Sequence, residues 1–288
     1  MVYDTVKLKF KSRLKIVKPI IIVLLFCLLT VFTQIGGLVY LISISLHKLI
    51  NKTVNNKYYR QITKAAVFMV LYCLTTFLIV PPLARLSGRV PLPFSQINHL
   101  KPLNRLTCLF NHNYVRPQLK QAAFAVAAEM NDKYPGSTLN YLDASFPFIN
   151  GFPLMPHLSH NDGKKLDLAF FYIDNKTGSE TDKTPSPIGY GISEEPRAGE
   201  INTTQACLIK GYWQYSFLTK MVPQSNKVNF TFDSLRTKAL VTLFASKNVI
   251  KKIFIEPHLK NRLGIQTPKL RFHGCRAVRH DDHIHVQL

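Results

Sequence analysis

Asp281-Asp282-His283-Ile284-His285-Val286-Gln287-Leu288 closes the chain, and Leu166-Asp167-Leu168-Ala169-Phe170-Phe171-Tyr172-Ile173 lies far upstream of it. In the terminal stretch, polar and β-branched side chains alternate from Asp282 to Val286. That period of two predicts a strand with His283 and His285 on one face. The upstream stretch reads as a buried strand in which Asp167 is the one charged residue. A carboxylate among apolar neighbours is costly unless it is paired or coordinates a cation. His160 precedes Asp167 across a polar connection containing Gly163, where the chain can turn back sharply. Two histidines and a carboxylate are a common protein ligand set for catalytic zinc, with the fourth position left to water. The set read from spacing is His160, Asp167 and His285, with His283 as the proton-transfer group beside it. A hydrogen-bonded structural cluster is the alternative reading of the same four residues.

These residues also carry a resemblance. Ser159-His160, Gly163 and Asp167, the run His280-Asp281-Asp282-His283-Ile284-His285-Val286, and the segment Val249 to Pro257 before His258-Leu259-Lys260 resemble the LAS group of zinc peptidases. That group includes lysostaphin-type endopeptidases and D-alanyl-D-alanine carboxypeptidases and dipeptidases. The likeness is greatest to penicillin-insensitive murein endopeptidases and covers about residues 115 to 288. It implies Zn2+ held by His160, Asp167 and His285, and His283 as catalytic base or transition-state stabiliser. It also implies that His157 and His280 line the site, His157 toward substrate and His280 among the catalytic groups. Asp282 stands three residues before His285, where several relatives place a glutamate base, and is a lesser candidate for proton transfer. The implied activity is hydrolysis of peptide cross-links in peptidoglycan. The alternative function class is a membrane-anchored, non-hydrolytic cell-wall binding or assembly protein with a degenerate peptidase fold.

The chemistry has a basic setting. The 288 residues carry a formal net charge of +21, unevenly divided. Residues 1–84 have 11 Lys/Arg against the single acid Asp4, and residues 85–288 have 26 against 15. A basic domain suits an anionic polymer or a membrane surface. No arginine-rich helix, zinc-finger spacing or aromatic binding stripe points to nucleic acid. No Gly-x-Ser-x-Gly elbow supports a serine mechanism, although Ser159 adjoins His160.

Hydropathy divides the chain into a membrane anchor at residues 1–84, a linker at 85–115 and a metallopeptidase domain at 116–288. Pro19–Ser45 is a 27-residue stretch without a charge, and Ala65–Ala84 is a second uncharged stretch. About 20 apolar residues cross a bilayer, so two transmembrane helices are expected, with a cleaved signal ending near Gly36-Gly37 as the alternative. Neither stretch contains an acid or a histidine, which argues against transport and for a lipid-bilayer anchor. With two spans the amino-terminal tail and the domain share a side. Counting basic flanks then leaves the domain in the cytoplasm, whereas a peptidoglycan substrate requires an inner or cytoplasmic membrane protein with its domain on the periplasmic side.

Within the domain, Gln118–Lys133 and Asp233–Ser246 read as amphipathic helices, the second with Leu235, Ala239, Leu240 and Leu243 inward. Strands are expected at Leu139–Asp143, Leu166–Ile173, Val249–Ile255 and the terminus. The expected class is α+β, a mostly antiparallel sheet with flanking helices. Asn175–Asn202, rich in proline and glycine, reads as a long insertion over one edge of the cleft, either a groove wall or a solvated loop. Trp213 is a candidate substrate-binding aromatic, with a core position as its alternative. Cys207 and Cys275 could pair if the domain is extracytoplasmic.

Overall fold

The computed structural model describes residues 2–155 and 157–288, with side chains from Val17 onward. The chain divides into two compact units, Met1–Leu83 and Ala84–Leu288.

In the first unit the long uncharged stretch is not one rod. The helix Val2–Thr33 stops and a second helix runs from Gly36 to Ser45. Gln34 between them has a left-handed φ of 66°, and the Thr33 hydroxyl donates back to Leu29 O while accepting from Gly36 N at 2.8 Å. These bonds replace the helical ladder at the break, and the second helix packs closely on the first. A Cβ on Gly37 would lie 2.1 Å from Thr30 Oγ1, so only glycine permits the approach. Val17–Thr33 and Gly36–Ser45 are thereby shorter apolar helices, and among the described residues only Lys57–Leu86, 30 residues, is long and apolar enough to cross a membrane. The expectation of two membrane-spanning helices is corrected to one among the described residues, and with it the expected bilayer anchorage through two helices. Lys57–Leu86 keeps its length because Asn56 Oδ1 caps its start, accepting from Tyr58 N and Tyr59 N. Its ladder widens to a π turn over Thr75–Ile79, just before Pro81 and Pro82, which lack an N–H to donate.

The second unit is built on a six-stranded sheet. Its order is Leu270–Arg271, Lys252–Phe254, His283–Gln287, Lys165–Ala169, Leu139–Tyr141 and Leu100–Pro102. The terminal strand lies antiparallel to both its neighbours, with His285 opposite Asp167 and His283 opposite Ala169. Both edge strands run parallel to the strands beside them, so the expected mostly antiparallel sheet is corrected to a mixed one. The reason lies in the connections. A parallel pair needs a crossover; helix Pro117–Lys133 supplies one between Leu100–Pro102 and Leu139–Tyr141, and helix Pro257–Arg262 the other. Leu100–Pro102 falls in the segment read as linker, and Leu270–Arg271 in one to which no strand was assigned.

One sheet face carries the core. Leu166, Leu168, Ile284 and Val286 pack with Leu119, Ala123, Val126, Ala127 and Met130 of helix Pro117–Lys133 and with Leu240, Val241 and Phe244 of helix Ser234–Ser246. Strand alternation then sends Asp167, His283 and His285 to the opposite face. In the second helix Leu235 is exposed and Arg236 is buried instead. Its guanidinium donates to Asp233 and to Tyr172 O, which makes the burial tolerable.

Candidate metal centre

Asp167, at 0% exposure, sits at the middle of the site. Its Oδ1 is 2.9 Å from His285 Nδ1 and 3.2 Å from His160 Nε2. The two imidazole nitrogens are 3.0 Å apart. His160 is oriented by its other nitrogen, whose N–H donates to Ala144 O at 2.6 Å, so Nε2 presents a lone pair. Three donors at these separations suit one tetrahedral ion, since bonds of about 2.0–2.1 Å place ligands roughly 3.3 Å apart. Asp167 Oδ1 has no hydrogen-bond partner, and neither has His285 Nε2. Buried polar atoms are rarely left so without an ion or water.

Asp167 Oδ2 faces a second group. His157 Nδ1 and His283 Nε2 stand 3.5 and 3.6 Å from it. His160, Asp167 and His285 form one set that could hold a metal ion, and His157, Asp167 and His283 form another. The unit is in this sense a candidate metal-binding domain whose ligands come from the two paired central strands and the loop before them.

Asp167, His283, His285 and His280 each depart from their ordinary values. Burial pushes the Asp167 carboxyl up, but His160, His283 and His285 outweigh it and hold the group well below its ordinary value. Burial likewise opposes a charge on His283, yet Asp167 and Asp282 raise it to about 9. His285 is pushed down to about 3, chiefly by burial, and burial and its histidine neighbours hold His280 well below the usual range. His285 therefore offers a neutral donor at pH 7.

Asp282 uses both oxygens to hold this arrangement. Oδ1 accepts from His283 Nδ1 and Oδ2 from Gly191 N at 2.6 Å. It therefore fixes the tautomer of His283, as carboxylates behind such histidines do. His280 is 2% exposed, its ring centroid 5.0 Å from that of His283. Its backbone N–H donates to Glu256, which also accepts from Tyr215 OH and Thr203 Oγ1. His157 stacks obliquely on Tyr190 and has no hydrogen bond at either nitrogen. Trp213 is 68% exposed at the start of helix Gln214–Met221, with its ring edge against Phe217. No described contact joins it to the histidines.

Three further contributors were not singled out from sequence. Tyr190 donates to Asp167 Oδ2 at 2.9 Å and accepts from Asp143 N. It reaches the centre because Gly189 and Gly191 on either side have φ of 81° and 83°. Side chains there would meet Leu142 and Val222 at under 3 Å. The Gly-Tyr-Gly triplet within the long insertion was the available signal. Asp143 follows the Leu139–Tyr141 strand, and its Oδ1 faces His112 Nδ1 at 3.3 Å. Burial would raise its pKa, but His112 and His157 more than reverse that. His112, from the expected linker, completes the row.

The insertion is neither wholly a groove wall nor wholly solvated. Ser186, Tyr190, Ile192 and Ser193 are buried, and Glu194 N bonds Asp281 O. Cys207 and Cys275 form a disulfide. No protein-family model matches the chain, and the curated proteins give no match either.

Proposed function

We propose that the Ala84–Leu288 unit is a zinc-dependent endopeptidase acting on peptide cross-links of peptidoglycan. One observation carries the reading. His160 Nε2, Asp167 Oδ1 and His285 Nδ1 stand 2.9–3.2 Å from one another, with His283 two residues from a ligand on the same strand face. The likeness to LAS-type zinc peptidases supports the same assignment.

His160, Asp167 and His285 hold the ion in this reading. Zinc there supplies Lewis acidity, lowering the pKa of a water and polarising a scissile carbonyl. His283 then handles protons at Nε2, because Asp282 accepts from its Nδ1 and leaves Nε2 toward the site. Asp282 is a positioning residue on this geometry. His157 and His280 contribute the walls, and Tyr190 steadies the Asp167 carboxylate through Oδ2.

Purified full-length protein in detergent, analysed for metal and incubated with cross-linked muropeptides, tests the reading. Bound zinc together with cleavage is expected. Zinc without cleavage favours the non-hydrolytic wall-binding alternative, which the near-complete burial of all the site histidines also suits. A chain that binds no zinc sinks the site itself.

For placement in the cell, a single crossing by Lys57–Leu86 alters the charge argument. The chain before and after it then lies on opposite sides, with 11 Lys/Arg up to Lys64 and four between Arg85 and Arg105. The positive-inside rule, strongest close to the span, now favours an extracytoplasmic domain, as peptidoglycan chemistry requires. The Cys207–Cys275 disulfide favours the same oxidising side. Protease added to wall-stripped intact cells should degrade residues 87–288; a domain protected until lysis would reverse the placement.

A further inference from the structure

The second set of donors around Asp167 is unexplained by a one-metal peptidase. His157 Nδ1 is 3.5 Å from Asp143 Oδ2 and 3.5 Å from Asp167 Oδ2, and His283 Nε2 is 3.6 Å from Asp167 Oδ2. These separations are too long for good hydrogen bonds. They are close to the roughly 3.4 Å between two ligands on bonds of about 2.1 Å to one tetrahedral cation. The side chains of His157, His283 and Asp167 are 2%, 1% and 0% exposed, so water is a poor substitute partner.

Neither ring nitrogen of His157 has a hydrogen-bond partner, although Nδ1 stands 3.5 Å from a carboxylate oxygen of Asp143 and from one of Asp167. A cation between the ring and the Asp167 carboxylate would give this buried nitrogen a partner.

The remaining atoms are already arranged around such a position. Asp143 Oδ1 is taken by His112, which turns Oδ2 toward His157. Asp282 accepts from His283 Nδ1, which turns Nε2 toward Asp167. Tyr190 occupies one lone pair of Asp167 Oδ2 and leaves the other. Asp167 thus presents Oδ1 to one pair of histidines and Oδ2 to the other, the geometry of a carboxylate bridging two ions on the order of 3.5–4 Å apart.

We propose that this unit holds a second divalent cation, seated among His157 Nδ1, Asp167 Oδ2 and His283 Nε2, with Asp167 bridging the two positions. The inference rests on the metal reading of Asp167 and is independent of the substrate. Occupancy takes the His283 Nε2 lone pair, so the proton-transfer role of His283 belongs to the singly loaded chain.

The test is zinc stoichiometry of the full chain in detergent, by equilibrium dialysis against Zn2+ and elemental analysis. Wild type should saturate at two zinc ions per chain, while His157→Gln and His157→Phe should each saturate at one. His157→Phe keeps a ring in place, and retention of one ion in it shows that the first position still folds. Saturation of the wild type at one ion overturns the second position and leaves the peptidase reading intact. Two ions in wild type and in both variants overturn it equally, because the second ion then lies elsewhere. No bound zinc in wild type overturns both readings.

Discussion

Asp167→Asn should leave the full-length protein without its zinc. Only this residue belongs to both donor sets, so its loss is expected to weaken every bound ion rather than one. The substitution preserves shape but removes the charge facing His160, His283 and His285, and it presents an amide N–H₂ where a carboxylate oxygen stood. Either orientation fails. With the amide nitrogen toward His160 and His285 it cannot ligate, and with the nitrogen toward Tyr190 it opposes the hydroxyl that donates to Oδ2. Changes in groups that merely orient ligands lower metal affinity by about 10–100-fold, so loss of this ligand should exceed ~100-fold. Binding free energy in a site joining distant segments is also folding free energy. The melting temperature of the zinc-loaded protein should therefore drop in Asp167→Asn, and chelation should lower it in wild type but hardly in the variant. Elemental analysis and thermal melts with and without chelator measure both effects. Wild-type zinc content in Asp167→Asn would remove Asp167 from the ligand set.

Asp167 was legible in the sequence because a lone acid in an apolar strand has few stable explanations, and His283 and His285 because strand alternation places i and i+2 together. Their opposition across the sheet, His285 to Asp167, follows from a pairing that periodicity cannot reveal. Asp143 looked like the end of a strand, and Tyr190 like part of a loop. Each becomes a site residue only through contacts with segments remote in sequence. The same limit applies to the sheet edges, where strands of two and three residues carry almost no periodic signal. Leu235 and Arg236 exchanged their expected places because the Asp233 carboxylate and Tyr172 O satisfy a buried guanidinium, a compensation hydropathy does not register. In the amino-terminal unit hydropathy found the apolar residues but not the break at Gln34. An uncharged Thr-Gln pair followed, after Ile35, by two glycines scores as passable membrane sequence, whereas the left-handed Gln34 and the Thr33 hydroxyl bonds end the helix there.

The two histidines of the terminal strand should fail differently when replaced. His285→Ala removes Nδ1 from the donor triangle, so it should bind zinc far less tightly and melt lower. His283→Ala leaves His160, Asp167 and His285 in place and should retain at least one zinc, while muropeptide turnover falls by roughly 10²–10⁴-fold, the range for a lost general acid–base group. Asp282→Asn separates position from chemistry. It keeps the imidazole but weakens the acceptor that fixes its tautomer, so zinc should stay and turnover should fall by less than in His283→Ala. The distinction depends on which nitrogen faces the site. Asp282 accepts from Nδ1 of His283, whereas His285 presents Nδ1 itself to Asp167 and His160. Neighbours on one strand face thus point different ring atoms at the same carboxylate. Zinc content and turnover measured on the three variants decide the assignment: a His283→Ala chain that retains no zinc would make His283 a ligand of the same ion as His285, and undiminished turnover in His283→Ala would pass the proton-transfer role to another group.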